Sequence, residues 1–170
     1  MRKIFILRSI LHFMLFFLIM GAIGLIIFVP IILFVPDADI PVKIKGVAVE
    51  INNIGAKILL VVSVIAYLLY VYAVFLLKKT ISLFIERKIF DNQVIKNLNN
   101  IGKLFITVAL MMSVPLFLYQ VLYTRHIEME LTSYYTDSML FNVAIGLFFM
   151  ILSEVFKMAG NLKEENELTI

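Results

Sequence analysis

Polar side chains inside long apolar segments are the residues of this sequence best placed to do chemistry. They are Ser63, Tyr67, Tyr70, Gln120, Asn142, Ser153 and Glu154. Polar groups are costly within a bilayer, and for that reason they often mark an ion route, a proton relay or a ligand site. The functional interpretation of the set is a polar pathway or a small-ligand pocket inside a group of membrane helices.

The spacing of these residues assigns them to three helix faces, because residues three and four apart are neighbours on a helix. The first face holds Ser63, Tyr67 and Tyr70. The second holds Thr107, Pro115 and Tyr119 with Gln120 beside them, and the third holds Asn142, Gly146 and Ser153. The alternative to a pathway is packing, in which hydroxyl and amide groups bond across helices and Gly146 permits close approach. We favour packing because no charge lies in the middle of a segment.

Glu154 is the ionisable side chain within these segments, and it can hold a cation or a proton. Its ordinary interpretation is an ion pair with Lys157, one helical turn away. The sequence has no cysteine, the spacing of His12 and His126 suits no zinc site, and no phosphate-binding or nucleophile motif occurs. We predict no metal, no cofactor and no enzymatic activity. A membrane enzyme would require Glu154 to lie beside His12.

Four apolar segments must position these side chains. The chain is 62% hydrophobic and 16% charged, with a mean hydropathy of +1.02, whereas soluble domains are about 45–50% apolar and about 25% charged. The segments cover residues 10–35, 58–77, 104–123 and 139–156, each near the roughly 20 residues that a helix needs to cross a bilayer. We therefore predict an all-α integral membrane protein, one domain over residues 1–170, with four transmembrane helices. The first helix tilts or breaks at Pro30, and Pro115 kinks the third.

Lysine and arginine residues predict the orientation, because they are enriched on the cytoplasmic side of membrane proteins. Eleven of the 15 lie at the chain ends or between the second and third segments. The remaining four are Lys43, Lys45, Lys57 and Arg125. We therefore predict a multi-pass protein of the cytoplasmic (inner) membrane with both termini in the cytoplasm. The anionic inner leaflet accounts for the basic residues without direct nucleic-acid binding.

The connecting segments predict one extracytoplasmic and two cytoplasmic features. Residues 42–51 largely alternate apolar with polar or small residues, which is typical of a strand and predicts a small outer hairpin between the first two helices. An isolated two-stranded ribbon has only marginal stability in water, so we expect it to pack on the helix ends or on a partner. Residues 78–103 predict a cytoplasmic helical hairpin. Asp91 or Asn92 is the predicted N-cap of its second helix, the one that leads into the third transmembrane segment. Residues 157–170 form a polar, acidic cytoplasmic tail.

The cytoplasmic hairpin and tail are the candidate partner-binding surface. Its residues are Phe84, Phe90, Leu98, Glu164, Glu165, Leu168 and Ile170. The apolar members of the hairpin would form a docking face. The terminal carboxylate of Ile170, with Leu168, would suit capture as an extended peptide. A homo-oligomer is a further arrangement open to such a chain.

Two motifs carry a resemblance to a known family. The first is Ile89-Phe90-Asp91-Asn92 with Leu98-Asn99-Asn100-Ile101-Gly102. The second runs from Glu154-Val155-Phe156-Lys157 through Leu162-Lys163-Glu164-Glu165-Asn166-Glu167-Leu168-Thr169-Ile170. They resemble the YoaS-like bacterial four-helix membrane proteins, known as domain of unknown function 2975. Ala159-Gly160 departs from the family pattern, which places a basic residue and a glycine close to the phenylalanine.

The resemblance implies a four-helix membrane fold and no settled activity. Members are often encoded beside a small helix-turn-helix regulator of the Cro type, which implies a membrane protein that restrains that regulator or is controlled by it. The favoured hypothesis is a non-enzymatic membrane partner or regulator of such a transcription factor. The alternative is a small transporter or channel with a polar path between helices 2, 3 and 4.

Overall fold

Four helices and a short strand pair make up the part of the chain that the computed structural model describes, residues 2–34, 42–45, 47–49, 51, 53–124 and 134–168. The helices are α1 (Arg2–Phe34), α2 (Ile54–Ile85), α3 (Asn92–Tyr119) and α4 (Tyr134–Leu168). The strands are β1 (Val42–Ile44) and β2 (Val47–Val49). A π-helical turn, Gln120–Thr124, follows α3 directly.

Four helical segments, the third of which joins α3 to the π-helical turn, are long and apolar enough to cross a membrane. These segments are Ile4–Phe34, Ile54–Ile85, Asn92–Tyr123 and Met139–Asn166. At about 1.5 Å of rise per residue, each exceeds the roughly 30 Å thickness of the hydrocarbon core. The prediction of four helices able to span a membrane is confirmed. The helices also continue past the apolar segments into polar sequence, most clearly in α4.

The two prolines within the described helices do not end them. Helix α1 is continuous through Pro30, so the break considered at that residue does not occur. Pro115 lies inside α3, and the backbone changes to π-helical hydrogen bonding at Gln120. Membrane helices tolerate proline because neighbouring helices and local changes of helix type satisfy the backbone groups that it frees.

The helices pack in chain order. Helix α1 lies against α2, α2 against α3, and α3 against α4. Among the described residues, no comparable contact joins α1 to α3, α1 to α4, or α2 to α4. The helices therefore form a row in which α2 and α3 are central and α1 and α4 flank them.

The strand pair is held against the ends of the two central helices. Strands β1 and β2 are antiparallel, with Val42 opposite Val49. Ile44 and Val49 are buried in a cluster with Leu59 of α2 and Leu116 of α3. Packing on the helices supplies the apolar burial that a two-stranded ribbon lacks on its own. The location of this strand pair on the outer side of the membrane stays a prediction.

The turn between α2 and α3 is fixed by local backbone chemistry. The side-chain oxygen of Asp91 accepts a hydrogen bond of 2.7 Å from the Gln93 N–H, so Asp91, and not Asn92, is the N-cap of α3. This bond satisfies one of the unpaired N–H groups of the first helical turn. Arg87 occupies the left-handed region with a φ of 61°, which reverses the chain after α2.

Two glycines bring the backbones of α3 and α4 into contact. A Cβ atom built on Gly102 would overlap the carbonyl oxygen of Gly146, and one built on Gly146 would lie 2.7 Å from the carbonyl oxygen of Gly102. Beside this crossing, the Ser153 hydroxyl of α4 donates a hydrogen bond of 2.8 Å to the Ile95 carbonyl oxygen of α3. The packing interpretation of Gly146 is confirmed, with Gly102 as its counterpart.

Candidate functional site

Three phenylalanines join the turn between α2 and α3 to the C-terminal part of α4. The ring of Phe156 stacks on Phe84, with centroids 5.7 Å apart, and lies 6.2 Å from the centroid of Phe90. Gly160 also lies against Phe90, because a Cβ built there would meet the Phe90 Cβ at 3.8 Å. We call Phe84, Phe90 and Phe156 the aromatic corner. It makes the predicted hairpin and the predicted tail one continuous surface.

The aromatic corner is partly open on its outer side. Phe90 keeps 42% of its surface exposed, and Ile89 nearby is exposed as well. On α4, Met158 and Leu162 are exposed on the face of the helix that points away from Phe156 and Gly160, so they lie outside this surface. The Lys163 ammonium lies 6.0 Å from the centroid of the Phe90 ring, a position that favours a cation–π interaction. The result is an apolar patch with a charged rim.

Leu98 does not belong to this surface. It is only 2% exposed, because the apolar stripe of α3 that carries it, with Val94 and Ile101, faces the neighbouring helices. The periodicity of the sequence places these residues on one helix face, but that face is buried. The prediction that Leu98 belongs to a docking face is therefore wrong. The proposed partner surface therefore excludes Leu98.

The tail is helical rather than extended. Helix α4 continues to Leu168, and Glu164 and Glu165 are exposed on it. Capture of the tail as an extended peptide would first require this helix to unwind. The side chain of Leu168 and the whole of Ile170 lie outside the described residues.

Three polar residues of α2 line a cleft with α1 and α3, and two of them donate hydrogen bonds to backbone carbonyls. Ser63 Oγ donates a hydrogen bond of 2.8 Å to the Leu59 carbonyl oxygen of its own helix. Tyr67 Oη donates one of 3.1 Å to the Leu18 carbonyl oxygen of α1. Tyr70 packs edge-on against the Phe105 ring. The packing interpretation is confirmed for Tyr67, which bonds across helices.

The polar residues of the later helices lie elsewhere. Ser153 is buried in the α3–α4 contact, where its hydroxyl bonds to α3. Asn142 is half-buried on α4, and Gln120 is half-buried at the start of the π-helical turn. The structure therefore places Ser63 and Ser153 at different helix contacts, one on each side of the central pair.

Glu154 is exposed on α4 and makes no ion pair with Lys157. The predicted pair is therefore wrong, and the reason is energetic: such pairs on an open helix face contribute only about 0.2–0.5 kcal/mol. His12, the residue that a membrane enzyme would require beside Glu154, is on α1, at the other end of the helix row from α4.

Among the described residues, no three His, Cys, Asp or Glu side chains cluster closely enough to hold a metal ion.

Two polar residues of the structure were not predicted from the sequence. Asn97 is 6% exposed, and its Nδ2 amide group has no hydrogen-bond partner. The signal was available, because Asn97 follows Val94 by three positions and precedes Ile101 by four, and so lies on the apolar stripe. The second is Ser113, whose hydroxyl oxygen lies 3.4 Å from the Lys45 ammonium. Its partner is far away in the sequence, and no local pattern identifies it.

The comparison with known families decides where this arrangement belongs. The model of the family described as "Protein of unknown function (DUF2975)" matches residues 14–170, nearly the whole chain. The chain belongs to this family. Neither a curated protein nor a solved structure matches the chain. The DUF2975 match includes α1 from residue 14 onward, the described parts of the other three helices and the aromatic corner. The resemblance carried by the two sequence motifs is therefore confirmed at the level of the family.

Proposed function

We propose that this DUF2975 protein is a non-enzymatic, multi-pass protein of the bacterial cytoplasmic membrane that binds a cytoplasmic protein partner. The observation that carries the proposal is the contact of Phe156 with both Phe84 and Phe90. Through this contact, the turn between α2 and α3 and the end of α4 form a single docking surface. The partner class that we propose is a small helix-turn-helix regulator.

The distribution of charge supports a cytoplasmic position for this surface. Four spans put both chain ends on one side of the membrane, and the turn between α2 and α3 lies on that side as well. Eleven of the 15 lysine and arginine residues belong to these segments. Since basic residues are retained on the cytoplasmic side, this side is the cytoplasm in our proposal.

The length of α4 favours a protein partner over a lipid surface. From Phe156 to Leu168 the helix continues for twelve residues, which is about 18 Å at the α-helical rise. Glu164 and Glu165 are exposed on this extension. An anionic inner leaflet repels carboxylates. The anionic bilayer surface therefore does not attract these carboxylates, and in our proposal the acidic end of α4 faces a soluble, basic partner.

A DNA-binding regulator has the complementary charge. The DNA-contacting face of such a protein is basic, because it neutralises phosphates. An acidic helix bound to that face competes with DNA, and so a regulator held at the membrane is a regulator withheld from its operator. The exposed apolar patch around Phe90 supplies the uncharged part of the interface. The family resemblance implies a membrane protein that restrains a small regulator or is controlled by it, and this mechanism is a form of the first.

The test uses a purified small helix-turn-helix regulator of the Cro type, the class that the family resemblance associates with members' genes. Its affinity is measured for the full-length protein in nanodiscs. We expect the double variant Glu164→Lys/Glu165→Lys to bind about tenfold more weakly or worse, as does removal of a central charge or aromatic anchor in other interfaces. Phe90→Ala is expected to weaken binding through loss of the apolar contact. Fluorescence anisotropy of the labelled regulator measures both effects.

Phe16→Ala is the matched control, because Phe16 is an exposed phenylalanine of α1 far along the helix row from the aromatic corner. It should bind the regulator as the parent protein does. Unchanged affinity in both the charge-reversed and the Phe90→Ala variants would refute the proposed surface. Absence of any binding by the parent protein would refute the regulator as partner.

A further inference from the structure

A cleft opens between α1 and α3 on the side where the strands lie. Both helices pack on α2 but make little contact with each other, so α2 forms the floor of the cleft and the strand pair its roof. The cleft encloses about 460 Å³, within the range of about 300–1,000 Å³ typical of small-molecule sites. Its walls include Phe28 and Ile32 of α1 and Val108 and Met112 of α3.

The interior of this cleft is chemically apolar. Ser63, Tyr67 and Tyr70 are the polar residues of its floor. The hydroxyl groups of Ser63 and Tyr67 donate to backbone carbonyls of α2 and α1, and the Tyr70 ring packs against Phe105. The remaining residues of the floor and walls are mostly aliphatic or aromatic. A hydrocarbon chain fits such a lining, since it demands no hydrogen bonds.

The roof, in contrast, is cationic. Lys43 and Lys45 of the strand pair both line the cleft, and no described carboxylate lines it with them. The Lys45 ammonium has the Ser113 hydroxyl as its neighbour, at 3.4 Å. Burial lowers the pKa of Lys45 below its ordinary value, because removing the ammonium from water disfavours its charged form. An anion beside this ammonium would compensate for the lost hydration.

We propose that the cleft binds an anionic phospholipid, with an acyl chain between α1 and α3 and the phosphate on the Lys45 ammonium and the Ser113 hydroxyl. The arrangement follows the order of groups in a lipid leaflet, since the cationic roof lies at the end of the helices and the apolar cleft lies along them. The phosphate accepts hydrogen bonds from both side chains. This site is at the opposite end of the helices from the aromatic corner and is independent of the regulator-binding proposal.

Native mass spectrometry of the full-length protein in a neutral detergent tests the site. Dioleoylphosphatidylglycerol, which is anionic, should bind more tightly than dioleoylphosphatidylcholine, which has the same acyl chains and no net charge. Lys45→Gln should weaken phosphatidylglycerol binding about fivefold, the order of affinity that one lysine contributes toward an anionic lipid. Glutamine retains a donor for Ser113, so the turn keeps its contact with α3.

The control is Lys57→Gln, which removes a lysine near the same end of the molecule that is exposed and does not line the cleft. It should leave the affinity unchanged within about twofold, as for a surface charge. A second variant, Val108→Phe, narrows the cleft and should weaken both lipids without changing their order. Oleate, an anion with the same hydrocarbon chain and no phosphate, is measured as a third ligand. The proposal would be overturned by equal binding of the two phospholipids, by equal losses in Lys45→Gln and Lys57→Gln, or by tighter binding of oleate than of phosphatidylglycerol.

Discussion

Replacement of Gly146 by valine is expected to lower the stability of the protein by about 3 kcal/mol or more, the upper end of the usual cost of overpacking. A side chain at this position meets the backbone of α3, since even a Cβ atom would lie 2.7 Å from the Gly102 carbonyl oxygen. Backbone cannot rotate aside as a flexible side chain does. The two helices must separate, and Ser153 then loses its bond to Ile95. The Tm of the detergent-solubilised protein measures the loss.

Gly102→Val should have a similar effect, because the contact is reciprocal. Gly24→Val is the matched control, since a Cβ on Gly24 of α1 has no atom within 4 Å. It introduces the same side chain into a membrane helix without a steric conflict and should change Tm little. A Tm for Gly146→Val equal to that of Gly24→Val would show that α3 and α4 do not approach each other at their glycines.

Replacement of Asn97 by leucine is expected to stabilise the protein by about 1–3 kcal/mol, the cost of a buried polar group without a partner. Leucine has the same number and branching of side-chain heavy atoms as asparagine, so the substitution removes an unsatisfied amide without creating a cavity. Stabilising substitutions of a buried polar residue are uncommon, which makes the direction of the change informative. The same Tm measurement, or the denaturant midpoint in mixed micelles, tests it.

Asn99→Leu provides the comparison, because Asn99 is only half-buried on α3 and its replacement should alter stability by less than about 0.5 kcal/mol. A lower Tm for Asn97→Leu would mean that the amide of Asn97 has a partner that stabilises the fold. The geometry around α3 described above would then be wrong at this position.

The membrane-spanning character of the helices follows from composition, since long runs without charge have few other structures open to them. Their ends do not follow from composition. Helix α4 continues through Lys163, Glu164 and Glu165, and nothing in the hydropathy of that segment distinguishes a solvated helix from a solvated coil. The strand pair could be predicted from the sequence, because the alternation of apolar and polar residues at 42–49 has a period of two, which a helix does not have.

The order of the helices could not be deduced, because helices that are apolar on every side present no preferred contact face. The interpretation that brought Ser63, Tyr67, Asn142 and Ser153 together in one polar interior could therefore not be tested from sequence, and the row of helices separates α2 from α4. The prediction for Leu98 was wrong for a related reason. Periodicity identifies which residues share a helix face, but it does not show whether a neighbouring helix covers that face. The prediction for Gly146 was correct, because the absence of a side chain alone allows the backbones of two helices to approach closely.

The topology is the claim on which both the docking surface and the lipid site depend for their sides of the membrane, and the absence of cysteine from the sequence allows it to be tested directly. Single variants Lys43→Cys, at the strand pair, and Lys88→Cys, in the turn between α2 and α3, replace exposed lysines at opposite ends of the helices. A membrane-impermeant maleimide should label Lys43→Cys in intact cells and Lys88→Cys only after permeabilisation. Labelling of Lys88→Cys in intact cells, with Lys43→Cys protected, would contradict the account.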